Sequence, residues 1–477
     1  MICNDICVSA GDLNERTMDA LRCLETENHL SVLLGAGASV GAGLPDWNTF
    51  AVNLLVLSRA IQDEETAKAF LIGQDPAIAA EAAKNAAGSD WPNVLSDALY
   101  GGTGASPAPL HTATASLVEY REASSLSFFT LNYDDLLETA VQQVLDELEL
   151  EARVLSRAGD QSRAKMGHDF EVHHLHGLLR AGDKTAETLI LTLSDYNKLG
   201  KDPHPWQVSS LQEALRRGAL ILAGTSYRDP DIRQWIHDLT ENKPTGNVAV
   251  FLARESLALD RMQFSHVNEA LINQWLALGV NVIPVQDHAD AAQALRELPH
   301  LGNPNYLPPA TRLGQLWQHH KEDFSQLQAE HSEKLAANLE TLQGTLPSFR
   351  NLTLWLGDGE GGLVRWAAND RIYRDPAHLR SERPGFDSPW IAGQALGRNN
   401  LMVHTLENAS ATSRWRSVWA APIVADLPGG PEMPCGVVSA ASVEELNHDD
   451  VQDELQLFGE LSMEWGAEFE RLQGSPQ

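Results

Sequence analysis

The stretch LLGAGASVGAGLPDW, residues 33–47, puts four glycines within nine positions, directly after an apolar run and just before a proline. Bare backbone at that density is what a phosphate needs in order to reach the main chain. The preceding HLSVLLG (29–35) reads as a short buried strand feeding the loop, and residues 17–28 as a helix before it. Gly35 and Gly37 open the dinucleotide fingerprint G-x-G-x-x-G, but Val40 stands where the third glycine belongs and Gly41 comes one residue late. That fingerprint also asks for an acidic residue about 20 positions on, to hold ribose hydroxyls. AVNLLVLSRA (51–60) contains none. The loop is built for a nucleotide, though not in the manner of an ordinary dehydrogenase.

Outward from this loop the chain alternates. Residues 48–120 are Ala-rich and helical in pattern, with a Gly/Pro break at GGTGASPAP. SFFTLNYDD, EVHHLHG, ETLILTLSDY, GALILAGTSYRD, NVAVFLAR and GVNVIPVQDH follow, each a short apolar run ending in polar residues or glycine. Strands alternating with helices predict a Rossmann-like parallel sheet with a helical insertion, and such sheets bind ligands beyond the carboxyl ends of their strands. Residues 311–345 have Leu at helical spacing and no Gly or Pro between Gly314 and Gly344, which predicts one long connecting helix. Beyond it NLTLWLGD, GLVRWAA, WRSVWAAPIVAD and CGVVSAASV read as strands, and a terminal helix starts near Asp449. These patterns divide the chain into residues 1–305, a connecting helix over 306–345, and a separate α+β domain over 346–477.

Bulk composition narrows the function. With 35 basic against 65 acidic side chains, the net charge of -30 repels phosphate backbones and argues against direct nucleic-acid binding. No run of about 18 apolar residues is present to span a bilayer. The N-terminus lacks the basic start and apolar core of a signal peptide. Cys3, Cys7, Cys23 and Cys435 form no C-x-x-C pair, which fits a reducing, cytoplasmic setting, and Cys435 reads as core. HHLHG could suggest a metal cluster, but on a strand His174 and His176 share a face while His173 points away, so at most two converge. No metal site is expected; His173 and His174 read as structural.

The ordered set GAGAS (35–39), GLPDW (43–47), TLNYDD (130–135), HHLHG (173–177) and GTS (224–226) resembles the sirtuin family over roughly residues 15–300. That resemblance implies NAD as substrate and cleavage of its nicotinamide–ribose bond through an oxocarbenium-like ribose. On the family's pattern Asn132 orients the ribose and a water, and His176 is the general base. Asp134 matches the position that grips the nicotinamide amide. Gly35, Ala36 and Ser39 would line the pyrophosphate, and Gly224, Thr225 and Ser226 the adenosine side. Asp46 matches an acid near the nicotinamide ribose, with Trp47 replacing the usual Phe.

The chain departs from the deacylating sirtuins in one respect. Those carry a four-cysteine zinc ribbon between the LHG and GTS motifs, and residues 178–223 here contain no cysteine. In its place LILTLSDYNKL resembles a zinc-less branch of sirtuin-like bacterial antiviral effectors that degrade NAD, of which the Thoeris effector is one example. With water as acceptor the same site is an NAD glycohydrolase. The alternatives are an NAD-dependent protein deacylase and a module that senses NAD or ADP-ribose without turnover. From about residue 345, GFDSPWIAGQAL, WRSVWAAPIV and CGVVSAAS resemble a GAF domain. This implies a small-molecule ligand or partner protein near Trp390 to Gly397, or dimerisation alone. The expectation is a homo-oligomer switched on through this domain.

Overall fold

The computed structural model describes residues 13–101, 104–159, 167–183, 188–225, 230–241, 247–406, 414–446 and 451–474. The chain separates into two compact units: Leu21–Pro284, and Val285–Gln477 together with the N-terminal residues up to Ala20.

In the first unit seven strands are built: β1 (Leu30–Leu34), β2 (Leu126–Thr130), β3 (Val154–Arg157), β4 (Phe170–His174), β5 (Ala219–Ala223), β6 (Val248–Ala253) and β7 (Val280–Val285). They lie in the order β3-β4-β2-β1-β5-β6-β7. β1 pairs parallel with both β2 and β5, in registers that set Leu34 beside Thr130 and Ala223. β1, β5 and β6 are buried at every position, as strands covered on both faces must be. The chain leaves β1 toward β2 on one side and later returns to β5 on the other. The carboxyl end of β1 is therefore a topological switch point, where such sheets bind ligands.

Helices Trp206–Arg217, Pro230–Glu241 and Arg261–Ala277 follow the pattern expected of sheet-covering elements, burying Leu211, Leu215, Ile232, Trp235, Ile236 and Trp275 among sheet residues Leu33, Phe129, Leu222 and Val250. The Ala-rich stretch folds into its own core. Helices Trp47–Leu57, Glu64–Gly73, Pro76–Ala87 and Trp91–Tyr100 meet over Phe50, Leu54, Ala67, Ala79, Ala80, Ala83 and Leu95, where side chains without bulk allow close approach. Leu136, Leu179 and Leu191 join that core from the sheet side.

Three local expectations need correction. ETLILTLSDY is not a strand: Leu191 packs into the helical core, and Thr192 and Asp195 form a reciprocal capping box that starts helix Leu193–Leu199. β4 stops at His174, so His176 lies past the strand and shares no strand face with His174. The single helix expected over 311–345 is two, Pro309–Glu322 and Phe324–Thr345, separated at Asp323 (φ -101°, ψ 30°). Their buried Leu316, Phe324, Leu327, Leu335, Leu339 and Leu342 belong to the core of the second unit, so the segment is a packed element of that unit.

The second unit holds β8 (Phe349–Gly357), β9 (Leu363–Ala368), β10 (Ser381–Glu382), β11 (Met402–Thr405), β12 (Ser417–Ala425) and β13 (Met433–Ser442). They form an antiparallel sheet in the order β10-β9-β8-β13-β12-β11. Alternation sorts its faces. Leu352, Leu354 and Leu356 of β8 join the large core with Trp366, Trp419, Phe458, Trp465 and Phe469. Trp355 turns the other way, into a smaller cluster with Ala392 and Ala395 of helix Ile391–Arg398. The terminal helix is Gln452–Gly474. The fold class expected from the sequence, a Rossmann-like parallel sheet with a helical insertion followed by an α+β domain, is the one observed.

Candidate functional site

At the switch point two glycine loops touch backbone to backbone. Gly35 N–H donates to the carbonyl of Ala223 at 2.9 Å, and Gly37 N–H to that of Gly224 at 2.7 Å. A Cβ on Gly35 would stand 2.8 Å from Gly224 O and 2.9 Å from Thr225 Cα. One on Gly224, whose φ is +69°, would stand 2.9 Å from Ala38 N. Part of the glycine density thus serves the approach of the β1 loop to the β5 loop rather than that of a ligand. Ala36 is exposed at the start of the short helix Ala36–Val40, and Ser39 and Thr225 are buried.

Asn132 follows the end of β2 directly across from this loop. Its main-chain N–H donates to Thr130 Oγ1 at 3.0 Å. Its side-chain Nδ2 donates to Gly35 O at 3.0 Å and to Ser39 Oγ at 2.7 Å. Ser39 has one hydrogen, and spends it on Asp134 Oδ2 at 2.7 Å. It must therefore accept from Asn132, which fixes the orientation of the amide. Asp134 Oδ1 takes the Leu136 N–H at 3.2 Å, at the start of helix Leu136–Glu147. Both amide hydrogens of Asn132 are committed inside the protein, and its Oδ1 is the acceptor left for a ligand. Asn132, Asp134 and Ser39 are all buried.

His176 sits past the end of β4, followed by Gly177 at φ +92°. Its own carbonyl accepts the Ile190 N–H at 2.9 Å. Tyr196 and Trp235 meet its ring edge-on, each with centroids 5.9 Å away. Its Nε2 is 3.7 Å from Asp231 Oδ2. Asp231 stands in the first turn of helix Pro230–Glu241, just past the GTS motif, and has no role in the sequence reading. A charged residue just inside a helix start, shortly after a strand-end glycine, was the available signal.

The three histidines of HHLHG go to three different partners. His173 stacks on Phe129, with centroids 4.8 Å apart. His174 is completely buried, its Nε2 2.6 Å from Glu138 Oε1 and its Nδ1 3.3 Å from the main-chain O of Asn132. Glu138 Oε1 also accepts the Ser156 hydroxyl at 2.6 Å. Burial opposes charge on His174, but the Glu138 carboxylate and its hydrogen bond outweigh it and hold the pKa above its ordinary value. Burial likewise pushes Glu138 up, and His174 more than reverses it. His111, on helix Pro109–Ser116, is pushed below its ordinary value by burial against the pull of Asp134 and Glu138, and its Nδ1 accepts the Ala108 N–H. No trio of potential metal ligands is assembled among the described residues.

The structure thus joins Gly35, Ser39, Asn132 and Asp134 in one hydrogen-bonded network, with Gly224 and Thr225 against it, and holds His176 through a separate set of contacts. Asp46 is exposed and caps helix Trp47–Leu57, its Oδ1 accepting the Thr49 N–H at 2.7 Å. Ser226 lies outside the described residues.

Fold and network define a doubly wound α/β domain whose β1, β2 and β5 carboxyl ends form the switch point at which such sheets bind ligands. Residues 126–283 match the family model of the SIR2-like domain. Solved structures similar to this chain include a Sir2 enzyme from work on the mechanism and regulation of Sir2 enzymes, at 12% identity over 60% of this chain and 97% of that one (TM-score 0.32). A Sir2 homologue in complex with NAD is similar at 16% identity over 61% and 95% (TM-score 0.32). A protein described as a GAF sensor from Burkholderia vietnamiensis is similar at 14% identity over 34% of this chain and 92% of that one (TM-score 0.22). Curated protein sequences give no match.

Proposed function

We propose that the chain is an NAD glycohydrolase that releases nicotinamide and ADP-ribose. The observation that carries the reading is the Asn132–Ser39–Asp134 network, which leaves an oriented amide oxygen at the switch point of a domain matching the SIR2-like model. The C1′–N bond of NAD breaks with its electron pair leaving on nicotinamide, which departs neutral, and a cationic ribose remains. Water adds its oxygen to C1′ and gives up a proton. Asn132 Oδ1 accepts from the ribose or the incoming water, and His176, backed by Asp231, takes the proton. The carboxylates of Asp134 and Asp231 favour a cationic ribose over a neutral one. Gly35, Ala36 and Ser39 line the pyrophosphate, Gly224 and Thr225 the adenosine side, and Asp46 the nicotinamide ribose.

The absence of cysteine from residues 178–223 removes the donor set of a zinc ribbon and favours water over acyl-lysine as acceptor. We further infer an antiviral effector held at rest and switched on by a ligand or partner through the GAF-like residues 346–477, acting as a homo-oligomer. The test is nicotinamide release by the full-length protein. Asn132→Ala and His176→Ala should each lower kcat by roughly 100-fold or more. Full turnover by either variant removes the mechanism.

A further inference from the structure

The ring of His174 faces an acceptor on each side. Its Nδ1 points to the Asn132 main-chain carbonyl at 3.3 Å, and its Nε2 to Glu138 at 2.6 Å. A carbonyl and a carboxylate bring no hydrogen of their own, so both ring nitrogens must donate, and the ring is an imidazolium. Glu138 is its counter-ion, and through Oε1 also holds Ser156 of β3. The pair therefore ties β3, β4 and helix Leu136–Glu147 to the Asn132 turn. With the Thr130, Gly35 and Ser39 bonds, every polar group of Asn132 except Oδ1 is held.

We propose that Glu138 and His174 are positioning residues for Asn132: a buried carboxylate–imidazolium pair that fixes the Asn132 carbonyl and thereby the direction of Oδ1. This deepens the reading of Asn132 as the residue that orients ribose and water, and rests on it. Charge is part of the device. A lone imidazolium behind Asn132 would oppose a cationic ribose, whereas the pair is neutral overall and lends rigidity without that cost. The titratable groups facing the pair are Asp134 on the Asn132 turn, Asp135 beside it, His111 on helix Pro109–Ser116 and Tyr100 on helix Trp91–Tyr100. Asp134 adds to the pull of Glu138 in holding the proton on His174.

The experiment contrasts two amide replacements in the full chain. In His174→Asn the amide reaches the place of Nδ1 and keeps the Asn132 bond; in His174→Gln it reaches the place of Nε2 and keeps only Glu138. A positioning role predicts that kcat for nicotinamide release is roughly tenfold lower in His174→Gln than in His174→Asn, with KM alike. A merely structural role predicts equal kcat in both, and that result overturns the proposal. A second readout needs no turnover. Histidine ¹⁵N spectra of the wild type at pH 7.5 should show both nitrogens of His174 protonated, and the Asn132 side-chain amide resonance should move in His174→Gln and not in His174→Asn. A neutral His174 ring in the wild type also overturns it. Absence of NAD turnover in the wild type, with these spectra as expected, would sink the glycohydrolase reading and leave the positioning pair standing. Should either variant fail to fold, Glu138→Gln replaces it: the ring must lose its second proton, and a ring that keeps both refutes Glu138 as counter-ion.

Discussion

Two buried histidine sites, His174 in the first unit and the His320–His331 pair in the second, reach opposite charge states. His174 in the first unit is fully buried and carries a proton on each nitrogen, because Glu138 lies 2.6 Å away. His320 and His331 in the second unit are buried as deeply, with ring centroids 5.5 Å apart, among Trp366, Trp465 and Phe469. His320 Nδ1 donates to Leu316 O at 2.8 Å, and His331 Nδ1 accepts the Trp366 indole N–H at 2.8 Å. Burial drives their pKa values down to about 4 and about 3. Their neighbours push the same way: His319 on His320, and His320, Lys334 and Arg471 on His331. Depth does not decide the charge of a buried imidazole. What stands at hydrogen-bond distance from each nitrogen does.

The largest effect should come from breaking the charged arrangement on one side only. Glu138→Ala takes the counter-ion from His174, whose ring must then give up its second proton or stay charged and unpaired, and leaves Ser156 without its acceptor. Removing one partner of such a pair costs about 3–5 kcal/mol. Urea unfolding at pH 7, followed by hydrogen exchange of β4 amides to assign the loss to the first unit, measures it. A cost under about 1 kcal/mol would mean that the pair is not ionic and that the two clusters differ less than their geometry indicates.

Acid should separate the clusters next. The folded pKa values of His320 and His331 lie below the unfolded value of about 6.5. The unfolded chain therefore binds more protons in between, so their stabilising share is complete above pH 6.5 and is lost as pH falls toward about 4 and about 3. Each ring contributes about 1.4 kcal/mol per pH unit in that window. His174 has the opposite sign: its raised pKa gives stability below pH 6.5 that is lost as pH rises through the folded value. Unfolding midpoints of the second unit should fall between pH 6.5 and 5, above most carboxylate titrations; the first unit loses stability there too, through His29 and His111, whose pKa values burial lowers, and His174 adds nothing to that loss. A flat second-unit profile would contradict neutral histidines there.

Much of this was legible in the sequence, and the rest was hidden for identifiable reasons. Alternating apolar runs gave the parallel sheet, and the ordered motifs brought Gly35, Asn132, Asp134 and Gly224 together because all follow strand ends. β3 escaped notice as a four-residue edge strand, with Ser156 and Arg157 diluting its apolar signal. LILTLSDY misled because a continuous apolar run fits a buried strand and a buried loop equally well. Asp323 breaks the long helix without a Gly or Pro to announce it. Glu138 looks like any helix-surface acid within LLETAVQQ; only tertiary structure brings it to a histidine 36 positions away. His320 and His331 are equally silent, since a neutral core histidine leaves no pattern.

The smallest effect is also the one that isolates the comparison most cleanly. His320→Leu replaces a neutral buried ring with an apolar side chain of similar size on helix Pro309–Glu322. His320 Nε2 has no hydrogen-bond partner among the described residues, so the substitution forfeits only the Nδ1 bond to Leu316 O. That bond joins neutral groups within one helix, and its loss is worth about 1 kcal/mol at pH 7.5. At pH 5 the balance changes sign. The wild type has by then given up about 2 kcal/mol through this ring, at about 1.4 kcal/mol per unit below pH 6.5, and the leucine has nothing to protonate. The variant should therefore be slightly less stable than the wild type at pH 7.5 and more stable at pH 5, with the two urea midpoints crossing near pH 6. Curves that stay parallel across this range would show that His320 does not enter the acid response, and would leave His331 alone to account for it.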